Sequence, residues 1–290
     1  MDLNLWKGIS SFVAIDKYPT LPCPYCAETG LKLEQSSIQA RVVTEGKLLE
    51  ASKRYQRDKD ESEKKRKERH SNIEESAPFL VRLIWAAFDY YSEATSPING
   101  VPHLFNSFYH YEKCNGHVSA SGVLLKPKKG LEDKPKPDFV KVEHFSPTVP
   151  IFHLSENTPH EVGKELFDAF KHSHFDTPSS ASKLRRAIER FCDDMKLDGK
   201  VLHSRIDQLK ETYPEEAKQL LALKLIGNEG THGSGVEELD LLYAFQIFQV
   251  VLELYDRKAR LDSIQSCYEK LADKYDKKKQ KQLVHKTPAV

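Results

Sequence analysis

The chain carries almost no net charge: 44 Lys and Arg stand against 43 Asp and Glu, leaving +1 over 290 residues. That balance excludes a global electrostatic attraction to nucleic acid, so any such binding must come from a local patch. Long apolar runs are missing too. The longest, FLVRLIWAAFDYY from Phe79 to Tyr91, is interrupted by Arg82 and Asp89 and is too short to span a bilayer, so no membrane partner is expected. The opening MDLNLWKGISSF lacks the basic and apolar regions of a secretory signal, which makes the cytoplasm the expected compartment. Cysteine is scarce and odd in number, at five, which argues against a disulfide framework and leaves metal binding as its use. There is no G-x-x-x-x-G-K-[ST] phosphate loop; GNEGTHGSG lacks the lysine and follows an apolar helical segment instead of a strand, so ATP hydrolysis is not expected.

What is present can build two modest domains, since 39% of the residues are hydrophobic. LPCPYC gives Cys23-x-x-Cys26, with Pro22 and Pro24 stiffening the turn, and EKCNGH gives Cys114-x-x-His117, with Gly116 permitting it. Two such knuckles can take the four corners of one tetrahedral, closed zinc site of structural type, with His110 and His103 as substitutes for His117. Cys192 and Cys267 sit in helical patterns and read as small buried hydrophobes. Around the second knuckle, HLFNSFYHYEK (His103 to Lys113) and VSASGVLLK (Val118 to Lys126) read as an antiparallel pair, giving a zinc-pinned hairpin.

Between the knuckles, residues 31–91 read as a helical insert with Ile38, Val42 and Leu49 on one stripe. Its middle, Lys53 to Arg69, mixes nine basic with five acidic residues, the pattern of a solvated helix with i,i+4 pairs; a nucleic-acid arm would need more aromatics than Tyr55. Pro78 breaks the run before an amphipathic or buried helix containing Trp85. KPKKGLEDKPKP (Lys126 to Pro137) is a linker, so the boundary falls between residues 1–145 and 146–290. The second part reads as a helical bundle: Val162, Leu166 and Phe170 recur four apart, Thr177-Pro178 and Tyr213-Pro214 mark helix starts, and Leu239, Leu242, Phe245 and Phe248 line a long last helix. Leu261, Ile264, Tyr268, Leu271 and Tyr275 continue it in steps of three and four, a short coiled-coil seam for the insert helix or for a second copy.

In the run LKLIGNEGTHGSG (Leu223 to Gly235), an apolar helix meets a turn marked by Gly227 and Gly230 that carries Asn228 and His232. One helical turn apart, this pair could hold a phosphate, a ribose hydroxyl or a water, and His232 is the side chain able to move a proton near neutrality.

Several segments carry a family resemblance in a constant order: SPTVP (Ser146 to Pro150), ASKLRRAIERFCDDM (Ala181 to Met195), LHSRIDQLKE (Leu202 to Glu211), IGNEGTH (Ile226 to His232) and VVLELYDR (Val250 to Arg257). The stretch resembles the HEPN-like domain of unknown function found in bacterial restriction-associated and phage-defence proteins. The resemblance implies a mainly α fold: a HEPN-like helical domain with a C-terminal extension, preceded by a small zinc-ribbon-like module with its helical insert. It places the family's Arg and Glu on Arg186 and Glu189 and its signature on Gly227, Asn228 and His232. Nuclease members pair the histidine with an Arg four to six residues upstream; here the nearest upstream base, Lys224, is further away. The expected function is therefore binding of RNA, nucleotide or a defence-system partner protein through the Asn228/His232 cleft in a homodimer. The alternatives are a metal-independent ribonuclease, with Lys224 and Arg186 stabilising phosphorane charge and Glu189 orienting Arg186, and a structural dimeric adaptor.

Overall fold

β5 (Val101–Tyr111) and β6 (Gly116–Lys126) pair antiparallel along their whole length, from Val101 opposite Lys126 to Tyr111 opposite Gly116. Alternation drives this: Phe105, Ser107 and Tyr109 face the core, while Leu104, Asn106 and Phe108 face outward. Asn115, in left-handed conformation at φ 53°, closes the turn. The expected hairpin is therefore present, but it is the middle of a larger sheet. In this computed structural model, which describes residues 1–71, 78–128, 137–232 and 235–284, β7 (Phe139–Ser146) joins β6, and β1 (Val13–Ala14) joins β7. On the other side β3 (Thr29–Leu33) and β4 (Gln39–Val42) both pair with β5, and β2 (Leu21–Pro22) follows β3. The result is a curled, seven-stranded, wholly antiparallel half-barrel.

This corrects the mainly α expectation with a small pinned hairpin. The first part of the 31–91 insert is strand: Lys32 lies opposite His110 and Gln39 opposite Asn106, and the helical stripe of Ile38, Val42 and Leu49 does not form. These strands are short and are held by pairing with β5 some seventy residues away, a long-range cause that local periodicity cannot report. Helix begins only at α2 (Glu45–Ala51) and continues in α3 (Lys53–Ser71) and α4 (Phe79–Thr95). β7 lies beyond the Lys126 to Pro137 linker, much of which (129–136) falls outside the described residues. At the β6/β7 register shift only glycine fits, because a Cβ on Gly122 would meet the Lys141 carbonyl at 2.2 Å.

The second half is helical: α5 (His160–Ser173), α6 (Thr177–Asp194), α7 (Leu202–Leu209), α8 (Pro214–His232) and α9 (Glu238–Val284). The Asp176 carboxylate accepts the Ser179 N–H and Pro178 occupies the first turn, so α6 starts where the sequence marks it. Val162, Leu166 and Phe170 on α5, Leu184, Ile188 and Phe191 on α6, and Leu242, Phe245 and Phe248 on α9 are all buried. One apolar core crosses the 145/146 boundary, joining Phe105, Tyr109 and Phe145 of the sheet to Phe170 and Phe248 of the helices. α1 (Leu3–Ile9) sits at that junction, where the Trp6 indole N–H donates to the Ile151 carbonyl at 2.9 Å.

Two buried ion pairs tie the base of α3 across the molecule. Arg54 reaches Glu238 in the first turn of α9, and Lys141 of β7 donates to Asp58 at 2.6 Å. Cys192 is buried as expected, whereas Cys267 is exposed, because α9 has left the body by that point. The helix containing Trp85 is not buried. Among the described residues no helix is long and apolar enough to cross a membrane.

Candidate functional site

The first site is a thiol cluster at one end of the sheet. The sulfurs of Cys23, Cys26 and Cys114 lie within 4.8 Å of one another, with Cys23 and Cys114 at 3.5 Å. Each turn is bent to allow this. Ala27 takes a left-handed φ of 65° and donates its N–H to the Cys23 carbonyl at 3.1 Å, while Asn115 does the bending in the other turn. Gly116 is required: a Cβ there would strike the Tyr25 ring at 2.6 Å and approach the Cys114 sulfur at 3.1 Å. Burial raises the Cys23 thiol, but the Tyr25 and Cys26 amides and the neighbouring thiols outweigh it and hold Cys23 below the ordinary value. Burial together with the Cys23 and Cys26 sulfurs raises Cys114 to about 11, against a smaller opposing pull from the Gly116 amide. Three clustered sulfurs, one of them with its thiol held below the ordinary value, make a soft, multidentate donor set that suits a thiophilic metal ion. Three of the four ligands read from spacing, all cysteines, thus come close enough to hold a metal ion.

His117 stands outside that group. Its ring stacks on His110, with centroids 4.3 Å apart and planes 8° from parallel, because the two face each other across the β5/β6 register. His110 also contacts Asn115 at 3.2 Å, and His103 lies further along β5, its Nδ1 2.9 Å from the Val101 carbonyl. A group missed from sequence flanks the thiols: the Lys113 ammonium and the Tyr111 hydroxyl both donate to Glu28, at 2.7 Å each. These bonds hold Glu28 below the usual carboxylate range.

The second site lies where α6 crosses α8. Gly227 and Gly230 do not make a turn; α8 runs straight through them to His232. Their function is approach. A Cβ on Gly227 would sit 2.7 Å from the Arg185 Cβ, and one on Gly230 would sit 2.6 Å from the Ala181 Cβ and 2.7 Å from the Pro178 carbonyl. The close crossing lets the Arg185 guanidinium donate to the Asn228 amide oxygen through Nη1 and to Glu189 through Nε at 3.1 Å. Arg185, next to the residue singled out from sequence, is therefore the partner of Asn228. Arg186 turns the other way and donates to Glu165 of α5 at 2.6 Å, so Glu189 orients Arg185 and not Arg186. Helical phase decides between neighbours a hundred degrees apart; the spacing to Glu189, four from Arg185 and three from Arg186, permits either pair, and the packing of α6 makes the choice.

Lys224, Asn228 and His232 occupy every fourth position of α8 and so follow one stripe of the helix. The His232 side chain lies outside the described residues. Lys224 helps to hold the Asp207 carboxyl on α7 below its usual range, after the larger effect of the Lys210 hydrogen bond. Asp207 also pairs with His203 at 3.3 Å, an imidazole that sequence reading passed over.

Residues 164–283 match a family described only as a domain of unknown function (DUF4145), a stretch that contains the α6/α8 site and excludes the thiol cluster. No curated protein and no solved structure matches the chain.

Proposed function

We propose that the protein binds a phosphate-bearing ligand of the nucleic-acid class at the α6/α8 surface and does not itself cut it, acting as a HEPN-like module of a prokaryotic defence system. The observation that carries this reading is the Arg185 guanidinium fixed between Asn228 and Glu189. Two anchors orient the planar fork before any ligand arrives, and its Nη2 has no partner among the described residues. An oriented guanidinium recognises a phosphate in two-pronged fashion at little further entropic cost. Lys224 and His232, a turn to either side of Asn228, extend the same stripe. Catalysis would need Asn228 to position His232; with its amide oxygen accepting from Arg185, the Asn228 NH2 and one lone pair remain for that role. The ribonuclease reading keeps one favourable observation, the four-residue spacing of Lys224, Asn228 and His232 on one helix.

Incubation of the purified protein with tRNA and total RNA, with and without chelator, tests this. Binding without cleavage is expected, with affinity falling at least about tenfold in Arg185→Ala, since one charge-assisted contact contributes about 1.5–3 kcal/mol. No binding at low salt, or full binding by Arg185→Ala, overturns it. Cleavage that His232→Ala abolishes selects the ribonuclease.

For the thiol cluster we infer a structural zinc held by Cys23, Cys26 and Cys114. Thiolate donors, adjacent turns and amide support favour zinc. A closed, structural site takes His117 as its fourth ligand if that ring leaves its stack on His110; a water there would leave the site open.

A further inference from the structure

Among the described residues, two helical faces of this chain are covered by nothing. On α4, Leu80 is 72% exposed, Ile84 68%, Phe88 55%, Leu83 54% and Trp85 45%. These side chains ring most of a helix that bears few charges, and a solvated helix of that composition is unstable in isolation. On the extension of α9, Leu261, Ile264, Tyr268 and Leu271 are each more than half exposed and follow steps of three and four, the spacing of a seam that packs against another helix. Among the described residues the two faces do not meet within one chain. α4 leaves the body beside the turn at Pro97–Asn99, while the α9 extension projects beyond Tyr255, the last of its buried residues.

We propose that each face is the partner of the other in a second copy of this chain, so that α4 of one protomer lies on the α9 extension of the next, and the reverse contact forms by two-fold symmetry. Such an isologous arrangement covers both unpartnered faces with surfaces the molecule already has. Area supports it. The nine side chains named present about 100 Å² each at half exposure of a large apolar group, roughly 900 Å² per protomer against the roughly 800 Å² of a standard stable interface. Self-pairing of the α9 seam fits less well. With Leu261 and Tyr268 at a positions and Ile264 and Leu271 at d, the flanking positions hold Arg260, Gln265, Cys267, Ala272 and Lys274, which offer no acid to pair with the bases of an identical helix. α4 brings no such repulsion.

Complementation of two half-defective variants decides the point, by light scattering on the full chain at micromolar concentration. Ile264→Asp with Leu271→Asp breaks only the α9 face, and Ile84→Asp with Trp85→Asp breaks only the α4 face. All four side chains are exposed, so folding should survive, and circular dichroism with an unchanged melting midpoint of the body checks this. The wild type should be a dimer, and each variant alone should be a monomer or dissociate at least about tenfold more readily. Mixed one to one, the variants should recover a heterodimer, because one α4/α9 contact stays intact. A dimer that survives the α4 changes and is lost with the α9 changes shows a self-paired seam and overturns the proposal. A monomeric wild type overturns it as well, whether the faces then close within one chain or attach to vesicles of anionic lipid. Failure of the mixture to recover dimer, with both variants folded and monomeric, also rules it out.

Discussion

The guanidinium of Arg54 places one nitrogen on both carboxylate oxygens of Glu238, at 2.9 and 3.0 Å, and so ties the base of α3 to the first turn of α9 across 184 residues. Both side chains are withdrawn from solvent, and burial raises the Glu238 carboxyl above its ordinary value although Arg54 and Lys141 pull it down. Desolvation therefore outweighs pairing for the acid, the situation in which replacing a buried pair by apolar groups is often neutral or stabilising.

A first prediction follows from that imbalance. Arg54→Met alone should cost about 3–5 kcal/mol, because it strands a buried carboxylate. Arg54→Met with Glu238→Leu should recover most of the loss. Urea unfolding of the two single variants and the pair measures this; a double variant no better than its worse single would show that the bridge contributes net stability.

The α6/α8 crossing gives the second. Gly→Ala within a helix ordinarily stabilises by about 1 kcal/mol. At Gly230 the added methyl meets the Ala181 Cβ at 2.6 Å and the Pro178 carbonyl at 2.7 Å, neither of which is the end of a flexible chain. Gly230→Ala should therefore lower stability by about 1–3 kcal/mol, the usual cost of overpacking. It should also weaken ligand binding at Arg185 by moving α6 away from α8. A thermal melt equal to or above that of the wild type would mean that the crossing is looser than its geometry.

What the sequence conveyed divides along the range of the forces involved. Helix starts at Thr177 and Pro214 and the buried stripe of Val162, Leu166 and Phe170 are set by neighbours within one or two turns, and they were legible. The β5/β6 hairpin was legible for the same reason. β3 and β4 were not, since their pairing partner lies far along the chain. Gly227 and Gly230 misled because glycine serves a tight turn and a close helix crossing equally well, and only the position of Ala181 and Arg185 tells them apart. The three cysteines were found by spacing alone, whereas His117 was displaced by a contact with His110 that only the strand register creates.

The thiol cluster yields the third prediction. Protein purified without added metal should carry about one zinc per chain. Removal by chelator should lower the melting temperature, and Cys23→Ser or Cys114→Ser should prevent rebinding, whereas Cys192→Ser, far from the cluster and buried in α6, should not. His117→Ala distinguishes a histidine from a water as fourth ligand: unchanged zinc content and affinity leave the position to water. Metal-free protein whose melting is indifferent to Cys23→Ser would remove the site.

The last prediction concerns acid. His174, at the end of α5, is buried between the Trp6 and Phe145 rings, at centroid distances of 5.6 and 5.4 Å. Burial, then the nearby Arg54 and His144, lower its pKa to about 3 from the ordinary 6.5. The folded chain thus keeps this ring neutral while the unfolded chain protonates it below pH 6.5, so the unfolded state binds more protons. Stability is then complete above about pH 6.5 and falls as the pH drops towards 3. At pH 5 the loss from this ring alone comes to about 2 kcal/mol. His174→Phe keeps an aromatic ring between Trp6 and Phe145 and has no proton to take up. Denaturant unfolding at pH 7.5 and pH 5 should show a smaller loss for the variant than for the wild type by about that amount, and equal losses would place the acid sensitivity in other groups.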